Sequence, residues 1–431
     1  MTDTAASASP ISAANGHAPA PEAPRLAGGK RGRIAPLDGV RGLAVCLVFL
    51  YHCTVIEPAS AVEEVFAHVT FLNGLSPLLF FVLSGFLITG ILVKTRDDPH
   101  FFRTFYIRRA LRIFPLYYAV LVLSFIVLPT FFANNPKVQS FGRVGGDVWM
   151  YWVFLQNFGT ALAGDFRHGI LDVTWSLAIE EQFYFVWPLL VYVLSNRALA
   201  RVCVGLIAFG FLYRCTIVFV LDAHPITAYV STFARVGSLG IGSLLALGWK
   251  QPGLFERLRR PAAWAAALTV PFIWVFTGSE RLAGIDFYPT TGFRGGPYSR
   301  TLGDIAVLFG LAGLVITCLT CGPQSLFSRV LGGRFFTTMA VYSYGVFLFH
   351  TPIRAFVRDM LFGPGYHGRT PMVRWPVIWG SQIPAQLMFY CLVMAITFPL
   401  AYFSYHLWEK HWAGLKSRVK YQKPGAGDVV G

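Results

Sequence analysis

Residues 37–52 read LDGVRGLAVCLVFLYH. From Leu43 to about Ile56 the chain is apolar, and Lys30, Arg31, Arg33 and Arg41 stand before it. The positive-inside bias makes such a segment an uncleaved anchor whose N-terminal side stays in the cytoplasm. Arg41 and His52 belong to the same segment. Eleven residues of α-helix rise about 16 Å and turn about 1100°, three turns and about 20°. The two side chains therefore share one helix face, Arg41 at the cytoplasmic boundary and His52 deep in the span.

Further apolar runs of roughly 18 to 24 residues follow, each long enough to cross a hydrocarbon core about 30 Å thick. The spans read from them are 41–57, 75–93, 112–132, 174–194, 202–221, 229–248, 262–278, 302–321, 336–356 and 381–406. This predicts an all-α integral membrane protein, a bundle of about ten transmembrane helices with both termini cytoplasmic. Composition agrees: 55% of the 431 residues are hydrophobic and 13% charged, against about 25% charged in soluble domains. No alternation of a β-barrel kind is visible. The net charge of +15 is a matter of topology and not of nucleic acid, because two thirds of the Lys and Arg residues fall in the segments assigned to the cytoplasm and a quarter in those assigned outside.

Three regions flank this reading. Residues 1–34, rich in Ala, Pro, Ser and Gly, predict a disordered cytoplasmic tail, residues 35–412 the transmembrane domain, and residues 413–431 a basic cytoplasmic tail. Asp147 to Gln156 (DVWMYWVFLQ) is apolar and aromatic but too short to cross, and is read as interfacial or re-entrant. The seven cysteines mostly lie in apolar runs, which argues against a disulfide framework. Cys318 and Cys321 form a CxxC pair without a second pair nearby, so no metal site is expected.

Ionisable residues inside spans are costly and tend to face an interior cavity. His52 is the leading candidate, because a neutral imidazole can take a hydroxyl proton near neutral pH; a packing histidine bonded to a neighbour is the alternative. Glu180, in TWSLAIEE at 174–181, is expected about 9 Å inside the outer boundary by helical rise. His350, in YSYGVFLFH at 342–350, is expected at a similar depth. A carboxylate there can fix an imidazole tautomer or accept a proton; the alternative is that Glu180 neutralises Arg214 or Arg235. On the cytoplasmic side Arg109 and Arg112, in FYIRRALRIFP at 105–115, lie one turn apart at the level of Arg41, a set of guanidinium groups suited to phosphate oxygens. Ser84 sits in the small-residue patch FFVLSGFLITG at 80–90, read first as close helix packing and only then as a nucleophile, since no adjacent base is evident. Arg235 is a further candidate.

In this order, from about residue 35 to 418, these motifs and the closing FSYHLWEKHW at 403–412 resemble the acyltransferase family 3 of integral membrane proteins, which includes O-antigen and exopolysaccharide O-acetyltransferases. The resemblance implies ten core helices and an acyl-coenzyme A donor, acetyl-coenzyme A above all, with no permanently bound cofactor. It also implies an Arg-x10-His pair matching Arg41 and His52, a donor-side Arg-x-x-Arg matching Arg109 and Arg112, and a Trp-Ser-Leu-x-x-Glu motif matching Trp175 to Glu180. One departure is Gly237, where an Asp often stands, so Arg235 lacks its usual partner. No SGNH-type domain follows residue 412, which resembles the stand-alone branch, where one chain completes the transfer or passes the acyl group to a separate periplasmic partner. The expected partners are acyl-coenzyme A, a carbohydrate, glycolipid or other hydroxylated acceptor, and the bilayer, with no nucleic acid. The reading is O-acyl transfer with His52 as base or transient acyl carrier. The rival is a transporter or flippase, against which no inverted repeat and no paired broken helices are seen.

Overall fold

The computed structural model describes residues 35–56, 58–71, 76–132, 147–166, 169–282, 296–362 and 375–421. The expected N-terminal tail lies outside them, as do 133–146 and 283–295 of the expected outer loops and 422–431 of the expected C-terminal tail. Apart from one isolated bridge between Ile378 and Ser381, the regular structure among the described residues is helical.

Helix α1 (Ala35–Cys53) is followed by the short α2 (Ala61–Phe71) and by α3 (Ser76–Lys94). After α4 (Phe101–Phe131) come two short helices, α5 (Val148–Trp152) and α6 (Gln156–Ala163), then α7 (Trp175–Val193) and α8 (Asn196–Val220). The six-residue α9 (Pro225–Val230) runs into α10 (Thr232–Gly248), followed by α11 (Leu254–Leu282) and α12 (Ser299–Thr320). A short α13 (Leu326–Leu331) precedes α14 (Arg334–Phe362), and α15 (Ile383–Leu415) ends the bundle.

Seven stretches among the described residues are long and apolar enough to cross a membrane: α1, α3, α4, α8, α9 with α10, α12 and α15. The chain is a multi-pass membrane protein. Helices of 19, 29 and 29 residues, α7, α11 and α14, stand where the other three spans were expected. Large apolar side chains such as Phe185, Leu212, Val220, Phe309 and Leu407 point outward, as a lipid-facing surface requires. Without a hydrophobic drive between helices in lipid, close backbone approach has to hold the bundle together. A Cβ on Gly85 would overlap the carbonyl of Leu239, and one on Gly242 the carbonyl of Val82, so α3 and α10 interlock through their glycines. The small-residue patch around Ser84 thus does what its composition suggested.

The segment 147–156 forms no helix long enough to span. Helix α5 has five residues, about 7.5 Å of rise, and Phe154 then adopts a left-handed φ of 57°. Buried Gln156 donates to the Thr174 carbonyl at 3.1 Å, and buried Asn157 donates to the Val230 carbonyl at 3.2 Å and to Thr232 at 2.8 Å. Non-helical backbone at membrane depth is tolerated where protein groups satisfy it in this way.

Candidate active site

Three helices carry the same order of groups from one end of the bundle to the other. On α1, Arg41 lines one cavity, on the side expected to be cytoplasmic, and His52 a second towards the other end of the helix; these are termed the inner and the outer cavity. On α14, Ser343, Tyr344 and Phe347 face the inner cavity, and Thr351 and Arg354 the outer one. On α7, Trp175 belongs to the outer cavity and Ser176, Leu177, Glu180 and Tyr184 to the inner. His350 falls between the two sets on α14, and it meets His52 there.

The contact fixes the protons. His52 Nδ1 lies 2.8 Å from His350 Nε2, and His350 Nδ1 lies 3.0 Å from the Val346 carbonyl oxygen. A carbonyl only accepts, so His350 carries its proton on Nδ1. Its Nε2 then has a lone pair and must accept from His52 Nδ1–H. By elimination His52 Nε2 bears the lone pair, and no described residue donates to it. Burial keeps the anchor in place: His350 is 0% exposed. Arg354 Nη1 donates to the His52 carbonyl at 2.6 Å, which holds the end of α1 where the imidazole leaves it.

The inner cavity collects Arg41, Arg109 and Arg112 around one carboxylate, Glu180. Ser84 donates to Glu180 Oε1 at 2.9 Å, and the Tyr184 hydroxyl lies 3.0 Å from both Ser84 Oγ and Glu180 Oε2. The Arg109 guanidinium stacks over the Tyr184 ring, 5.2 Å from its centre. Among the described residues no ion pair joins Arg41, Arg109 or Arg112 to a carboxylate. Three guanidinium groups that outnumber the one carboxylate lining a concave site suit an anionic ligand with several acceptor oxygens.

A family model described as an acyltransferase domain matches residues 34–406. The chain belongs to acyltransferase family 3. Over 338 residues it is 26% identical to the putative peptidoglycan O-acetyltransferase YrhL of Bacillus subtilis and 27% identical to the peptidoglycan O-acetyltransferase OatA of Listeria monocytogenes. Each alignment takes in 74% of this chain, with 48% and 49% of the relative. The O-acetyltransferase OatA of Staphylococcus aureus is 26% identical over 354 residues, 75% of this chain and 51% of that protein. The chain thus spans about half the length of the curated relatives it matches. No solved structure matches it.

Within this acyltransferase 3 bundle the sequence-predicted residues sort into two groups. Arg41, Arg109 and Arg112 come together as expected, and His52 meets His350. Glu180 does not join the histidines. Helix α7 begins at Trp175, which lines the outer cavity together with Gly169, Asp172 and Val173 of the preceding 3-10 turn. Five residues of rise, about 7.5 Å, then bring Glu180 into the inner cavity. The carboxylate that Ser84 lacked in sequence is Glu180 itself.

The alternative of Glu180 neutralising Arg214 or Arg235 is overturned. Asp304 Oδ1 lies 2.9 Å from Arg214 and 2.8 Å from Arg235, all three side chains being buried. Asp304 also supplies Arg235 with the partner that seemed lost at Gly237. It stands at the start of an apolar run, so the rule that singled out Glu180 applies to it equally. Arg235 Nε donates to the Tyr229 carbonyl at 2.8 Å, and the Tyr229 side chain lines the outer cavity. Arg235 therefore braces a wall of the site from behind. Tyr184, by contrast, carried no signal in sequence beyond its place one turn after Glu180.

Proposed function

We propose that the protein is a membrane-embedded O-acyltransferase that moves an acyl group, acetyl above all, from acyl-coenzyme A to a hydroxyl of a cell-envelope carbohydrate. The observation behind it is the order of groups along the bundle: guanidinium groups in excess of carboxylate at one level, and an imidazole with an available lone pair at the next. Arg41, Arg109 and Arg112 suit the pyrophosphate of the donor. Ten helices with both ends in the cytoplasm would open the inner cavity to the compartment that holds coenzyme A, and the outer cavity to the acceptor. The relatives named as O-acetyltransferases, two of them of peptidoglycan, support acetyl as the group and a sugar hydroxyl as its destination.

His52 acts as general base. The acceptor hydroxyl gives its proton to His52 Nε2 as its oxygen attacks the thioester carbonyl carbon, the C–S bond breaks, and the thiolate takes the proton back from the imidazolium. The hydrogen bond to His350 strengthens when His52 is charged, because charge-assisted bonds are about twice as strong as neutral ones. That gain exists only in the charged state, so it lowers the barrier rather than tightening substrate binding. Glu180 holds Ser84 and Tyr184 in the donor cavity and offsets part of the local positive charge, which makes it a positioning residue.

The test uses the full chain in detergent with acetyl-coenzyme A and a soluble glycan acceptor, following thiol release and acylated product. Release should depend on the acceptor and vanish in His52→Ala, with donor binding retained. Undiminished transfer in a folded His52→Ala protein would remove the histidine from the reaction.

A further inference from the structure

The chain does not leave the bundle when α15 ends at Leu415. Residues 416–419 continue as consecutive turns, and Arg108 on α4 seizes them: its Nη1 donates to the carbonyls of Lys416 at 3.0 Å and Val419 at 2.8 Å. The same guanidinium lies over the Tyr421 ring, 5.7 Å from its centre. Arg108 thus turns Nη1 to this backbone, while Arg109 and Arg112 line the cavity. The clamp brings the Lys416 ammonium among Arg112, Arg109 and Arg108, with Glu409 of α15 as the carboxylate of the group. Partial burial, helped by those three guanidinium groups and opposed by Glu409, brings the Lys416 pKa down to about 8. Glu409 is itself engaged, accepting from Ser404 at 3.1 Å. A surface lysine gains nothing from such company unless an anion joins it.

We infer that Lys416 is a fourth cation of the donor site, held at the mouth of the inner cavity by the docked segment Lys416–Tyr421. Its ligand is the phosphate farthest from the thioester, the ribose 3′-phosphate of coenzyme A. The inference rests on the acyl-coenzyme A reading above. Arg41, Arg109 and Arg112 line the cavity, and Lys416 lies outside that lining. Coenzyme A presents thioester, pyrophosphate and 3′-phosphate in that sequence, so a threaded donor brings the last to Lys416.

Binding of coenzyme A and of dephospho-coenzyme A, which lacks that phosphate, is measured by calorimetry on the full chain in detergent. Lys416→Gln should weaken coenzyme A about tenfold, the scale of one charge-assisted contact, and leave dephospho-coenzyme A unchanged. Lys416→Arg should restore the affinity, and Arg108→Ala, which frees the segment, should reproduce part of the loss. In the wild type, coenzyme A affinity should fall as pH rises through about 8, because the neutral amine has lost its charge, and this fall should be absent in Lys416→Gln. Equal effects on the two ligands, or none on either, overturn the assignment while leaving the donor reading intact. A wild-type protein that binds neither ligand overturns both.

Discussion

Removing the acceptor behind His52 tests the proton assignment most directly. In His350→Leu the side-chain volume is nearly kept, so the site stays filled and the cavity term that truncation to alanine would add is small. What goes is the lone pair that receives His52 Nδ1–H across 2.8 Å. Nothing then selects the Nδ1–H tautomer, and the imidazolium formed during transfer loses its partner. Leaving a buried donor unsatisfied costs about 1–3 kcal/mol. If that loss falls on the transition state, turnover drops roughly 5- to 150-fold. Because the defect lies in the chemical step, the apparent KM for acetyl-coenzyme A should hardly move. His350→Gln offers a carbonyl oxygen to the same donor and should recover a good part of the rate. The assay is acceptor-dependent thiol release by detergent-solubilised protein, in single variants and in a His52→Ala background, where His350→Leu should add nothing. Wild-type turnover in a folded His350→Leu protein would refute the tautomer argument, and so would a loss that His52→Ala leaves undiminished.

Asp304→Ala strands two buried guanidinium groups, and breaking a buried pair costs about 3–5 kcal/mol; a detergent melt close to the wild-type curve would contradict the triad of Arg214, Arg235 and Asp304. Glu180→Gln should keep the melting temperature, since those arginines do not depend on it, and should lower transfer while leaving coenzyme A bound. A large stability loss would return Glu180 to a structural part. Glu63 in α2 accepts from the backbone of Gln382 and Ala59 and from Ser381, and the Gln382 bond above all holds its carboxyl below the ordinary range. A depressed folded pKa gives stability that is full above the unfolded value and lost as pH falls through the folded one, so proteolysis of the 375–383 segment should rise in acid, and Glu63→Gln should show that susceptibility already at neutral pH. For topology, Asp165→Cys in a cysteine-replaced background should react with an impermeant thiol reagent from outside and Ser417→Cys should not; the reverse pattern would mean that 147–156 crosses after all. Ser299, an obvious loop position in sequence, is 1% exposed and unsuited to the experiment.

Much of the architecture was written in the order of residues. Hydropathy locates the long apolar helices, and basic residues set the sense expected of them, because the cost of exposing backbone or charge to hydrocarbon is a local property of each segment. The same logic singled out Arg41, Arg109, Arg112, His52, Glu180 and His350, since an ionisable group in an apolar run is conspicuous whatever surrounds it. Helical rise along α7 gives the distance of Glu180 from Trp175 but not which neighbours stand at that level, and the packing of α3 against α7 gives the carboxylate to Ser84 in the inner cavity.

Which groups face each other was decided only by tertiary packing. His52 and His350 are 298 residues apart in sequence, and nothing local to either encodes the other's orientation. The tautomer of His52 depends on a carbonyl four residues before its partner. Asp304 reaches two arginines on other helices, Glu180 turns out to serve Ser84 and Tyr184, and Arg108 bonds backbone more than three hundred residues downstream. Insertion of each helix follows from its own transfer energy, so it is legible segment by segment. The pairing of polar groups follows from close approach of distant helices, set at contacts such as Gly85 against Leu239, and it exists only once the bundle has closed.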